Sequence, residues 1–218
     1  PVARRTVSST VVARRTWQTA AMGALGLLAI EVAARWPHSA WWGRASARLR
    51  VTALDVGQGD ATLVDLPDGR LMLIDGGGFV GAPIDPGERV ILPVLRARRR
   101  SRVDIVVLTH PHPDHYGGLG SVVRQIDVGE FWFGGEEGAL ASAAARGAAA
   151  SEHLSPYRQL LDILRERSVP FVTARELCAA KGEAGPAVIR VLHPCPEVVS
   201  ERGANDNSLV VHISHGRH

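Results

Sequence analysis

Three histidines and one aspartate fall within six residues of the stretch Thr109-His110-Pro111-His112-Pro113-Asp114-His115. His110 and His112 are separated by one residue, so in an extended segment their side chains point the same way and can share one ion. Asp114 and His115 follow where the chain must leave the strand direction, and they can reach a second, neighbouring position. Imidazole and carboxylate donors suit Zn²⁺, Mn²⁺ or iron. Pro111 and Pro113 stiffen the loop, so less ordering entropy is lost when metal binds. A lone histidine is ordinarily a surface or satisfied core residue. Four donors in six residues, ahead of Gly117-Gly118, read instead as a metal site with His110, His112, Asp114 and His115 as ligands.

The flanking sequence has to position that loop. Val103–Leu108 is a nearly unbroken apolar run rich in β-branched residues, which suits a strand buried on both faces. Leu119, Val122, Val123 and Ile126 recur at helical spacing just after it. Upstream, Val51–Val56 is strand-like and is followed by the loop Gly57-Gln58-Gly59-Asp60. Ala61–Leu66 and Leu71–Ile74 flank the turn Pro67-Asp68-Gly69 and form a hairpin. The second of these strands ends at Asp75-Gly76-Gly77-Gly78. A Gly/Pro loop over 79–89 precedes a short helix with Pro93 in its first turn. Glu130–Phe133 is a strand, 134–152 a Gly/Ala-rich exposed insertion, and Ser155-Pro156 a helix start with Tyr157, Leu160, Leu161 and Leu164 inward. Val188–Leu192 and Leu209–Ile213 are late strands. Strands alternating with helices after a hairpin predict an α/β layered domain.

Charge divides the chain. Of its 218 residues, the first 50 hold eight arginines and one acid, a balance of +7. The remainder holds 17 basic and 21 acidic residues, a balance of −4, and lacks the broad basic surface expected of a nucleic-acid binder. The local exception is Arg96, Arg98, Arg99, Arg100 and Arg102. The apolar run 20–34 is broken only by Glu31 and flanked by Trp17 and Trp36. It is read as a membrane helix over about 18–36, with an Ala-rich amphipathic helix as the alternative. Four arginines lie on each side, so charge gives no orientation. Cys178 and Cys195 form no C-x-x-C pair and are expected to be free and buried. The division is thus a basic segment, membrane helix and linker over 1–48, then a domain over 49–218. A first residue of proline marks the chain as part of a longer one.

The motif Thr109–His115 resembles the H-x-H-x-D-H signature of the metallo-β-lactamase superfamily. The resemblance implies an αββα sandwich, here its N-terminal half and the start of the second. It implies two divalent ions, zinc or manganese, with His110 and His112 on one and Asp114 and His115 on the other. Asp75 resembles the superfamily's first-motif aspartate, which props the histidine loop. Leu54–Val64 (LDVGQGDATLV) and Asn205-Asp206-Asn207-Ser208-Leu209-Val210 resemble the ComEC family of DNA-uptake proteins, whose domain follows transmembrane helices. On that resemblance Asp60, Asp75, Asn205 and Asn207 are placed beside the ligands or on the substrate side. Asn205, Asp206 and Asn207 are all open as stand-ins for the third ligand of the first ion, and His193 is structural. The family continues past the point where this chain stops, with a bridging aspartate and a His-His-Gly-Ser motif, so the fragment alone is expected to be inactive.

The ComEC resemblance implies a phosphodiesterase or nuclease acting on incoming DNA. Two ions would activate a water for in-line attack on phosphorus, with Asp114 as the catalytic carboxylate orienting it. The Arg96–Arg102 run is available to hold phosphate locally. It also implies a place at the cell membrane, with the domain outside the cytoplasm, and other competence proteins as partners. Two further readings stay open: a hydrolase of a non-nucleic substrate, and a non-catalytic module that positions DNA or a partner.

Overall fold

The computed structural model describes residues 48–78, 83–135, 150–180, 182–184, 186–199 and 201–216. The expected membrane helix and most of the expected insertion lie outside the described residues. No helix among those described is long and apolar enough to cross a membrane.

The hairpin expected around Pro67–Gly69 is the start of a six-stranded sheet. Strands β1 (Arg50–Ala53), β2 (Thr62–Asp65) and β3 (Leu71–Ile74) run antiparallel. The chain then crosses over and adds β4 (Arg102–Val107), β5 (Asp127–Phe133) and β6 (Phe171–Thr173), each parallel to its neighbour, in the order β1-β2-β3-β4-β5-β6. A second, three-stranded antiparallel sheet holds β7 (Gly182–Ala184), β8 (Ala187–His193) and β9 (Val210–His215).

Helices cover one face of the large sheet: α1 (Leu92–Ala97), the short α2 (Pro113–Tyr116), α3 (Leu119–Gln125) and α4 (Ala150–Glu166). Their apolar residues meet Leu63, Leu71, Leu73, Val106, Leu108 and Phe131 in the first core. The opposite face, with Val64, Met72, Ile105, Val107 and Trp132, packs against Ala187, Ile189 and Val191 of the small sheet. Helix α5 (Ala174–Ala179) closes that second core with Ala174 and Leu177. The layers are helix, sheet, sheet, as the αββα expectation requires for this part of the sandwich.

Strand β4 therefore feeds both cores. Val103, Ile105, Val106, Val107 and Leu108 are all buried, and each such side chain contributes roughly 1.5–3 kcal/mol. The loop that follows β4 thus starts from a firmly held platform. Pro93 sits in the first turn of α1, as expected. It is preceded by a π-helical turn, Gly87–Ile91, in which the Leu92 N–H donates to the Gly87 carbonyl. Proline has no N–H to continue a regular ladder, and the change of register falls beside it. Helix α4 begins at Ala150 and holds Pro156 in its interior rather than at its start. The alanine-rich stretch before Ser155 has high helix propensity and extends the helix upstream. Its expected stripe of Tyr157, Leu160, Leu161 and Leu164 is buried.

Two expectations need correction. Cys178 and Cys195 are not free: they form a disulfide between α5 and the segment after β8, with Cα atoms 5.6 Å apart. A separation of 17 residues carries no pairing signal, and only the fold brings them together. The Arg96–Arg102 run lies at the end of α1 and the start of β4, while the histidine loop leaves the far end of β4. It cannot hold phosphate at the histidines.

Candidate metal centre

The histidine loop emerges at the carboxyl ends of the parallel strands β3, β4 and β5, where open α/β sheets form their crevices. Asp75 ends β3 in a left-handed conformation (φ 59°) that Asp tolerates better than most residues. It is 2 % exposed, and every contact of its carboxylate goes to the loop after β4. Oδ1 accepts from the Thr109 N–H at 2.8 Å. Oδ2 accepts from the Thr109 hydroxyl at 2.7 Å and lies 2.8 Å from Nδ1 of His115.

These bonds fix the histidine tautomers. The Asp75 carboxylate has no proton to give, so His115 carries one on Nδ1 and turns the Nε2 lone pair outward. The single hydroxyl proton of Thr109 is spent on Asp75. Toward Nδ1 of His110, 3.1 Å away, Thr109 can only accept. That contact favours the His110 tautomer with its proton on Nδ1 and its lone pair on Nε2. This is the arrangement in which a histidine ligates metal while a neighbour holds its other nitrogen.

The rings cluster. His110 lies 4.0 Å from His115 and 4.8 Å from His112, centroid to centroid. Nε2 of His115 is 3.8 Å from Oδ2 of Asp114. That is too long for a hydrogen bond, but two atoms each ~2.0–2.2 Å from a shared ion must lie within about 4.3 Å of each other. The pair meets that condition. Among the described residues no three His, Cys, Asp or Glu side chains already converge on one coordination point. The loop thus fits a divalent ion in donor type and in the spacing of the His115–Asp114 pair.

The neighbouring carboxylates favour positive charge at His115. Burial pulls the His115 imidazole toward its neutral form, but the hydrogen bond and charge of Asp75, with the charges of Asp114 and Asp60, outweigh it and raise its pKa. Burial pushes the Asp75 carboxyl above the usual carboxylate range, against the bonds from His115 and Thr109. Tyr116, buried beneath the loop, is pushed up to about 12 by burial and by Asp114, so it stays a neutral phenol.

The loop between β1 and β2 braces the site from outside. The Gly78 N–H donates to the Gln58 carbonyl at 2.9 Å, and the Asp60 N–H to the Asp114 carbonyl at 3.3 Å. Asp60 is exposed and close enough to the cluster for its charge to act on His115. At Gly59 the Asp114 backbone passes so close that a Cβ would lie 1.7 Å from its carbonyl oxygen.

Asn207 is not a ligand stand-in. Its Oδ1 accepts from the Val199 N–H, and its Nδ2 donates to the carbonyls of Val199, Arg202 and Gly203. The whole carboxamide is spent on the backbone of the 199–203 segment, which it fastens. Asn205 and Asp206 are exposed on the same 3-10 turn, Asn205–Asn207. The start of β9 joins the site through the Leu209 N–H, which donates to the Thr109 carbonyl at 2.8 Å. A cavity of about 20 Å³, on the order of one water, lies between His110, Phe133, Tyr157 and Asn207. His193 bonds the Ser208 carbonyl, the structural role expected of it. The bracing role of Thr109 was missed in the sequence, where its only signal is its place immediately before the first histidine.

Over 83 residues the chain is 35 % identical to ComE operon protein 3 of Bacillus subtilis (strain 168), covering 33 % of this chain and 11 % of that one. The chain thus spans about a ninth of the length of that curated relative. Among solved structures it resembles CmlA, a diiron β-hydroxylase from Streptomyces venezuelae, at 18 % identity and a TM-score of 0.40, over 78 % of this chain and 28 % of that one. The profile of the metallo-beta-lactamase superfamily matches residues 54–215. A match over that span covers nearly the whole described domain, histidine loop included, and the chain belongs to the metallo-β-lactamase superfamily.

Proposed function

We propose that this chain is the hydrolase domain of a membrane-anchored DNA-uptake protein of the ComEC kind, acting as a phosphodiesterase on incoming DNA. The observation that carries the reading is the Asp75–Thr109 brace, which presents the lone pairs of His110 and His115 beside Asp114. His110 and His112 would hold one ion, zinc or manganese, and Asp114 and His115 the other. Bound there, divalent ions supply a water of lowered pKa and offset charge on a phosphoryl oxygen. On this reading Asp114 would orient the attacking water, with Asp60 on the substrate side. Asp75 and Thr109 keep the imidazoles in the ligating tautomer throughout.

Three observations support the wider reading. The 83-residue match is to a product of a competence operon. The disulfide suits an oxidising compartment, and so a domain outside the cytoplasm. The apolar run 20–34, flanked by Trp17 and Trp36, has the composition expected of a membrane segment. Single- or double-stranded DNA and other competence proteins are the partners this reading names. A second reading, hydrolysis of a small non-nucleic substrate, draws on the carboxylates Asp60 and Asp114 beside His115, which do not attract a polyanion.

The test is cleavage of labelled single-stranded DNA by the full polypeptide that contains this chain, with Mn²⁺ or Zn²⁺ and with an Asp114→Asn control. Metal-dependent cleavage lost in the control is the expected result. Stoichiometric metal uptake without any cleavage of DNA would remove the nuclease reading and leave the small-substrate or positioning roles.

A further inference from the structure

The end of the molecule opposite the histidines carries the strongest charge imbalance among the described residues. The strand register assigns its members. Arg50 pairs across from Asp65, and Arg102 from Asp127, so the starts of β1, β4 and β5 and the β2–β3 turn share one end of the sheet. The carboxyl ends of α1 and α3 point the same way, as does the residue after α4, whose Arg167 side chain reaches the Arg124 carbonyl and Asp127. Collected there are the five arginines of the Arg96–Arg102 run with Arg48, Arg50, Arg70, Arg124 and Arg167, ten in all, against Asp65, Asp68, Asp104 and Asp127.

Internal pairing does not neutralise this end. Asp65 alone serves both Arg98 and Arg100, at 3.0 and 3.2 Å. Asp104 serves Arg102 and the Leu71 N–H. These pairs hold the guanidinium groups in place and leave a net excess of six positive charges. Arg50 and Arg99 are exposed.

We propose that this basic end is a docking face for an anionic phospholipid surface, holding the domain with its histidine loop turned away from the bilayer. The inference rests on the membrane-anchored reading above. The chain enters the described domain at Arg48, on this face, only 13 residues after the apolar run that ends at Ala34. A tether of 13 residues spans at most about 45 Å when fully extended. DNA is the less suited occupant, because the candidate metal centre lies at the other end of β4. Each arginine near an anionic surface is worth ~1 kcal/mol, and the excess here is sufficient to orient a tethered domain.

The experiment uses the full chain in phosphatidylcholine vesicles with and without phosphatidylglycerol, read by amide hydrogen exchange. Slowed exchange over residues 66–70 and 96–102 is expected only with phosphatidylglycerol, and should vanish in high salt. The triple variant Arg50→Gln, Arg99→Gln, Arg124→Gln should lower the docked-to-undocked ratio by about a hundredfold, while exchange in the 105–108 core strand stays unchanged. Association with both vesicle types and equal exchange at this end overturns the docking face but leaves the anchor standing. Failure to associate with either overturns both. Protection by single-stranded DNA in place of phosphatidylglycerol overturns the lipid assignment.

Discussion

At the level of single residues, the Thr109 hydroxyl and the Asp75 carboxylate decide which nitrogen of two histidines is protonated. Asn at position 75 would tolerate the left-handed backbone, but one of its two acceptors becomes a donor. With Nδ2 facing His115, the ring must switch tautomer and place its proton on Nε2, the atom that would face an ion. Asp75→Asn is therefore expected to fold and to lose about 10–100-fold in metal affinity. Calorimetric titration with Zn²⁺, beside near-ultraviolet circular dichroism as a check on folding, measures this. Wild-type affinity in a folded variant would show that the brace does not set the tautomer.

Among elements, the loop over 54–60 and the disulfide each tie the site to a different part of the scaffold. Gly59 has φ +79° and no room for a Cβ against the Asp114 carbonyl. Gly59→Ala must displace one backbone or the other and is expected to cost more than ~1 kcal/mol and weaken metal binding with it. A urea midpoint and a metal affinity both equal to wild type would mean that the loop does not support Asp114. The Cys178–Cys195 link closes a segment of 17 residues between α5 and the strap after β8. Its removal in a Cys178→Ser, Cys195→Ser double variant should lower stability by ~3 kcal/mol through the freed unfolded chain. Denaturation without reductant gives the comparison, and coincident curves would contradict it.

The same elements mark what could be read in advance. Val103–Leu108 and the 119–126 stripe were legible because burial on two faces or one imposes its own residue pattern. The histidine loop was legible because its donors are adjacent in the chain. The cysteine pair, the Asn207 clamp and the π-helical turn before Pro93 were not, because each depends on segments that meet only after folding. The upstream start of α4 was hidden by Pro156, which reads locally as a helix beginning.

For the whole molecule, the decisive property is the separation of charge along the strands. Arginines collect where β4 begins, and Asp60, Asp75 and Asp114 act on His115 in the loop that follows its end. An anionic substrate approaching the histidines meets net negative potential unless divalent ions are bound. Two such ions add four positive charges at the point of contact, well inside the ~10 Å screening length of ordinary buffers. Affinity for a short single-stranded oligonucleotide at the histidine loop should therefore depend on metal and fall about tenfold or more on chelation. Photo-crosslinking with and without chelator, followed by mapping of the attached peptides, measures this. Metal should direct adducts to the 108–118 region, and its removal should abolish them. Adducts at the histidine loop that are indifferent to chelator would mean that the fold, rather than bound metal, creates the attraction.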